Sequence, residues 1–121
     1  MNKDTQEIER GEWAAFAEEF SKQHAGVTAS LESIGADEGD QYAAENMPFA
    51  GMTLESKGSA AGSLVLMLGT EGASHIERQI AAPQSLRVHV TPAGETVMEI
   101  KADDEPTLLL HLQAPKEIPA S

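Results

Sequence analysis

Apolar residues change their spacing at Gly26. Upstream, Trp13, Phe16, Ala17, Phe20 and His24 fall at i, i+3, i+4, i+7 and i+11, one stripe of an α-helix. Downstream, short runs alternate apolar and polar residues as far as Gln113, with Gly, Pro and Asp between them, as in strands joined by turns. The pattern predicts one N-terminal amphipathic helix over about residues 5–25 and antiparallel strands over about 27–113. A Pro-containing tail over 114–121 is expected to be flexible.

The helix has the expected end signals. Asp4 or Thr5 is placed to cap it, and Glu7, Glu9 and Glu12 suit the positive end of its dipole. Gly11 costs about 1 kcal/mol inside a helix, so the firm part begins near Arg10. Gly26 suits the left-handed residue that terminates it. Eight strands are expected beyond, at about 27–34, 41–47, 52–57, 63–68, 74–80, 86–91, 96–102 and 107–113. No helical segment long enough for a crossover separates them, which disfavours parallel pairing. The fold class is therefore α+β, with one helix packed on a curved antiparallel meander of seven to eight strands. Twist over so many strands leads to a half-barrel, a barrel or a sandwich. Trp13, Phe16 and Phe20 would cover its concave side.

Alternation also assigns faces. Ile76, Ile80, Leu86, Val88, Val90, Met98, Ile100, Leu108, Leu110 and Leu112 share one parity and point inward. The unbroken apolar run over 64–68 suggests a central strand covered on both faces. If 81–83, 92–94 and 103–105 are three-residue hairpin loops, one outward row reads His75, His89, Val97, His111. The next reads Glu77, Arg87, Glu99, Leu109, with Arg87 between two opposite charges, an arrangement worth about 0.2–1 kcal/mol per pair. In that register His75 and His89 have Cβ atoms about 5 Å apart. They could share a zinc ion with Glu77 near, whereas His111 stands about 9–10 Å from His89. His75, His89 and His111 are thus the metal candidates, and Glu77, Arg87 and Glu99 the interaction candidates. A solvated polar face is the ordinary state of such residues. His24, in the last helical turn, suits the negative end of the dipole.

Charge narrows the partners. Twenty acidic and eight basic residues among 121 give a net charge of −12. That field repels phosphate backbones and anionic membranes, and would steer a basic protein partner inward. No nucleic acid or membrane partner is expected, and the chain is read as a monomer or homodimer. The absence of cysteine removes disulfides, thiolate metal sites and cysteine nucleophiles. Met1-Asn2-Lys3-Asp4 lacks the apolar stretch of a signal peptide, so a cytoplasmic protein of one domain over 1–121 is expected. The acidic turns at 37–40 and 103–105 do not fit a calcium loop, and 57–63 lacks the order of a phosphate loop. No cofactor is predicted.

The helix motif Trp13-x-x-Phe16-x-x-x-Phe20-Ser21-x-x-His24-x-Gly26 resembles the opening of a small family of uncharacterised bacterial proteins. The Pro48-Phe49-x-Gly51 turn, the stretch from His75-Ile76 to Ile80-x-x-Pro83 and the Leu-rich last strand are similar to the same pattern. The resemblance implies a helix-then-sheet fold in bacteria, and carries over neither function nor site.

Three functions are compatible with these residues. The first is a small acidic, non-catalytic binding or protein-interaction module. The second is a small-molecule or lipid binder with a cavity between helix and sheet. The third is a metal-dependent enzyme built on the histidines. The balance leans away from catalysis.

Overall fold

The apolar stripe is helical where it is densest. In the structure, a computed structural model describing residues 5–35, 39–55, 58, 62–70, 75–103 and 106–113, helix α1 (Trp13–His24) follows a 3-10 turn at Arg10–Glu12. Trp13, Ala17 and Phe20 are its buried residues, with Phe16 packed against the same core. The helix is shorter than the expected 5–25. Glu9 is extended, and Gln6–Glu7 form a short strand, β1. Ile8 explains the difference: its side chain enters the core and its N–H donates to the Leu86 carbonyl at 2.8 Å. Thr5 precedes this strand and caps nothing, and Asp4 lies outside the described residues. Trp13 locks the corner by donating its indole N–H to the Ile8 carbonyl at 2.8 Å, with the Arg10 guanidinium 4.5 Å above its ring. At the other end Gly26, with φ +84°, ends the helix as its position implied.

The remaining strands are β2 (Thr28–Gly35), β3 (Gly39–Leu54), β4 (Leu64–Gly69), β5 (His75–Ile80), β6 (Pro83–Val90), β7 (Thr96–Ala102) and β8 (Thr107–Leu112). They form one sheet of order β1-β6-β7-β8-β2-β3-β4-β5 in which every pair is antiparallel. The end strands β1 and β5 do not pair, so the sheet curves without closing, and the barrel alternative falls. The fold is α+β, one helix on an eight-stranded antiparallel sheet.

Two strands expected at 41–47 and 52–57 are a single strand, β3, of 16 residues. The Pro48-Phe49-x-Gly51 segment bends the chain and does not reverse it. Of three bulges along β3, two flank the bend. At the first, two residues face one between the pairs Ala29–Met47 and Leu31–Ala44, and Asn46 takes φ +55°. Asn tolerates that left-handed conformation better than most residues, and its N–H donates to Ser30 Oγ at 3.0 Å. The second bulge lies between Phe49 and Gly51. β3 thereby pairs with β2 as far as Pro48 and with β4 from Phe49 onward.

The expected β5–β6 hairpin does not form. β5 pairs with β4, and β6 with β1 and β7, so the chain passes at Ala81-Ala82 from one end of the sheet towards the other. Alternation identifies the buried face at every inward position but Val90, and does not identify the neighbour. Ile80 and Leu86 flank this corner, and both are buried in the same core. Of the inward set, Ile80, Leu86, Met98, Ile100, Leu108, Leu110 and Leu112 are buried, Ile76 and Val88 are partly buried, and Val90 is exposed. Leu64, Leu66 and Leu68 complete the core from β4, which is second from the sheet edge and not central.

α1 lies along the side of β3 that β2 leaves free. Phe20 meets Phe49 edge-on at 5.6 Å and stacks on His24 at 4.1 Å. The His24 imidazole donates from Nδ1 to the Phe20 carbonyl at 3.1 Å, satisfying a carbonyl of the last turn. Ser21 Oγ accepts the Met52 N–H at 2.8 Å and donates to the Met52 carbonyl at 3.0 Å. One helical serine thus supplies what a neighbouring strand would have supplied to that edge. Among the described residues no helix is long and apolar enough to cross a membrane.

Candidate binding face

The helix packs along β3 and adds Trp13, Ala17 and Phe20 to the core, and the outer side of β6, β7 and β8 carries polar residues. Registers of β6, β7 and β8 place His89 opposite Val97 and Val97 opposite His111, as alternation and turn length predicted. They also place Arg87 opposite Glu99, and Glu99 opposite Leu109. The first member of each expected row is displaced. His75 faces Gly69 and Glu77 faces Met67 across β4–β5, so neither stands beside His89 or Arg87. Arg87 does lie between two carboxylates, but its second partner is Glu7 of β1, with Nε 3.6 Å from Oε1. Both side chains are well solvated, and such a pair contributes about 0–1 kcal/mol. Among the described residues no group of three or more His, Cys, Asp or Glu side chains is placed to hold a metal ion.

The rows continue onto β2, because β8 pairs with it. Glu32 lies opposite Leu109, and Ser30 opposite His111. His111 reaches diagonally to Glu32, with Nε2–H donating to Oε1 at 2.9 Å, while its Nδ1 stands 3.8 Å from Glu95 Oε1. Glu32 is only 8% exposed, and a carboxylate so buried is costly unless hydrogen-bonded. His111 provides that bond. The Tyr42 ring, 6.4 Å from the imidazole, flanks the pair from β3.

Beside this pair lies a trough of about 350 Å³ lined by Thr5, Arg87, His89, Val97, Glu99 and Leu109. Val97 and Leu109 are apolar and point outward, yet Val97 is only 6% exposed and Leu109 is half-buried. Charged neighbours shield them. A second open trough, of about 440 Å³, runs between α1 and the end of β3, lined by residues that include Ala14, Ala17, Glu18, Ser21 and Leu54.

The chemistry of the outer face is that of paired polar side chains. His111 gives one nitrogen to Glu32 and turns the other towards Glu95. Ser30, directly across from it, has its hydroxyl engaged by the Asn46 N–H. Serine, histidine and carboxylate are thus adjacent, with the imidazole nitrogens turned to carboxylates, whereas a nucleophile–base relay has the hydroxyl on the imidazole.

The sequence model of a family of unknown function, DUF5335, matches residues 4–121. The chain belongs to that family. No curated protein and no solved structure matches it. In this DUF5335 chain, the motif residues that carried the resemblance seat the helix and bend β3: Trp13 on Ile8, Phe20 on Phe49, Ser21 on Met52. Leu109, in the Leu-rich last strand, is the member of that pattern that lines the trough of the outer face. Sequence reasoning missed Glu7 and Glu32, because β1–β6 and β2–β8 pair segments far apart in the chain with no local turn to announce them, and with Glu32 it missed the neighbours of His111, Glu95 and Tyr42. Ser21 did leave a signal: with Ala14 and Ala17 it forms a stripe of small residues at i, i+3 and i+7, which permits close approach to a strand.

The acidic turn residues 37–38 and 104–105, most of the loop at 56–61, residues 71–74 and the tail 114–121 lie outside the described residues.

Proposed function

We propose that this DUF5335 protein is a small acidic, non-catalytic binding module that receives a basic segment of a protein partner, in the cytoplasm, on the outer face of β6, β7, β8 and β2. The observation that carries the reading is the trough itself. It has an apolar floor, Val97 and Leu109, and Glu99 at its wall, with Glu7 paired to the trough residue Arg87. A long basic side chain suits such a floor, because its aliphatic stem packs on apolar surface while its head reaches a carboxylate. The net charge of −12 steers a basic partner from a distance.

The test is the affinity for a labelled octapeptide of alternating lysine and valine, read by fluorescence anisotropy at about 20 mM and about 300 mM salt, where screening lengths differ severalfold. Affinity is expected to fall at least tenfold at the higher salt, and to fall again in Glu99→Lys. Equal affinity at both salts, or no effect of Glu99→Lys, overturns the reading. A second reading, a small apolar ligand, has its natural place in the trough between α1 and β3. Retention of such a molecule through purification, seen by native mass spectrometry, would favour it.

A further inference from the structure

We infer that the open edge of β5 is a strand-addition site for an extended segment of a partner protein in which basic and apolar side chains alternate. This surface is separate from the outer-face trough and goes beyond that reading.

The ladder fixes which backbone groups are free. Glu55 donates its N–H to the Ser63 carbonyl at 2.9 Å, so 55/63, 53/65 and 51/67 are the hydrogen-bonded pairs of β3 and β4. Ser21 confirms the phase independently, since it takes the N–H and carbonyl of Met52, which therefore point away from β4. Leu64, Leu66 and Leu68 must then turn their backbone groups towards Ile80, Arg78 and Ile76 of β5. The N–H and carbonyl groups of His75, Glu77 and Gln79 consequently point away from the sheet, in a row of three.

The molecule treats its other free edges differently. β1 ends the sheet with only two residues, and on the edge of β3 that β2 leaves free Ser21 takes both backbone groups of Met52. β5 is six residues long, pairs with β4 over six consecutive positions without a bulge, and contains no proline. Long flat edges of this kind are the ones that accept another strand.

Its side chains specify the guest. Glu77 is exposed on one face and favours a basic residue opposite it. Ile76, on the other face, is half-buried at the margin of the core, where an added apolar side chain would complete its cover. Arg78 lies between Ile76 and Ile80 and already has contacts within the molecule. The field of the acidic chain disfavours a second copy of itself as the guest and favours a basic segment.

The test is amide hydrogen exchange, residue by residue, in the full chain with and without the lysine–valine octapeptide. In the free protein, the Glu77 and Gln79 amides are expected to exchange at least tenfold faster than those of Ile76, Arg78 and Ile80, and with saturating peptide to slow at least tenfold. Gln79→Pro removes one outward N–H and no ladder bond, so it should fold normally and weaken this protection at Glu77 at least tenfold. If that variant does not fold, Glu77→Lys serves instead, with an expected affinity loss of at least threefold. Unchanged exchange at Glu77 and Gln79 under saturating peptide overturns the edge proposal, even if the peptide shifts Val97 and Leu109. Protection at the same amides without peptide, accompanied by a dimer in sedimentation, also overturns it and names a second copy as the occupant.

Discussion

Replacing Ser21 with alanine should destabilise the protein by about 2 kcal/mol. The hydroxyl holds both backbone groups of Met52, at 2.8 and 3.0 Å, and Met52 is only 1% exposed. Two ordinary hydrogen bonds are worth about 1–3 kcal/mol together, whereas two orphaned buried groups cost about 2–6 kcal/mol. The trough between α1 and β3 decides between these limits. It is open, Ser21 and Met52 both line it, and its 440 Å³ is ample for water, which needs about 10–15 Å³ of such space per molecule. Water can therefore re-satisfy at least one group, which leaves about 2 kcal/mol, or a fall in Tm of about 8 °C for a chain of this size. The assay is urea unfolding, with the midpoint lowered and the slope unchanged. Ser21→Thr, which keeps the hydroxyl, should recover most of the loss. A change below about 0.5 kcal/mol, typical of an exposed side chain, would refute the role of Ser21 as a surrogate strand.

The buried pair on the outer face should respond asymmetrically to mutation. His111→Ala leaves Glu32 without its hydrogen bond and is expected to lose about 1–3 kcal/mol in urea unfolding. The double substitution Glu32→Leu, His111→Leu should be near neutral or stabilising by the same assay, because apolar replacement of both partners of a hydrogen bond leaves neither polar group unsatisfied. Gly26→Ala should cost about 1 kcal/mol through its φ of +84° alone, as a Cβ there meets nothing within 4 Å. Phe49→Ala, at the bend of β3 and against Phe20, should lower stability by about 3–5 kcal/mol and bring the calorimetric Tm down with it.

Local rules read the local parts of this molecule well. The Trp13–Phe16–Phe20 stripe, the Gly26 terminator and the registers of β6, β7 and β8 all follow from spacing and turn length. So do the positions of Arg87, Glu99, His89 and His111 relative to one another. What escaped was whatever depends on a distant neighbour. Val88 and Ile76 share an inward parity, and that parity is the same for a hairpin as for two strands meeting at a core from different ends of one sheet. Pro48 announces a change of direction, but whether the chain turns back or merely changes partners depends on which strand waits beyond it. Ile8 has one apolar side chain in a charged stretch, too little to register as a strand until Leu86 lies alongside. The Glu32–His111 bond joins the first long strand to the last, and nothing within either segment points to the other.

The measurement that tests the proposed binding face most directly is a methyl-resolved NMR titration of the intact chain with the lysine–valine octapeptide at about 20 mM salt, where screening is weak. The account predicts that the methyl signals of Val97 and Leu109 move together and saturably, and that the shifts shrink as salt is raised to about 300 mM. Methyl signals that stay fixed at these two residues while others move would place the partner elsewhere and contradict it.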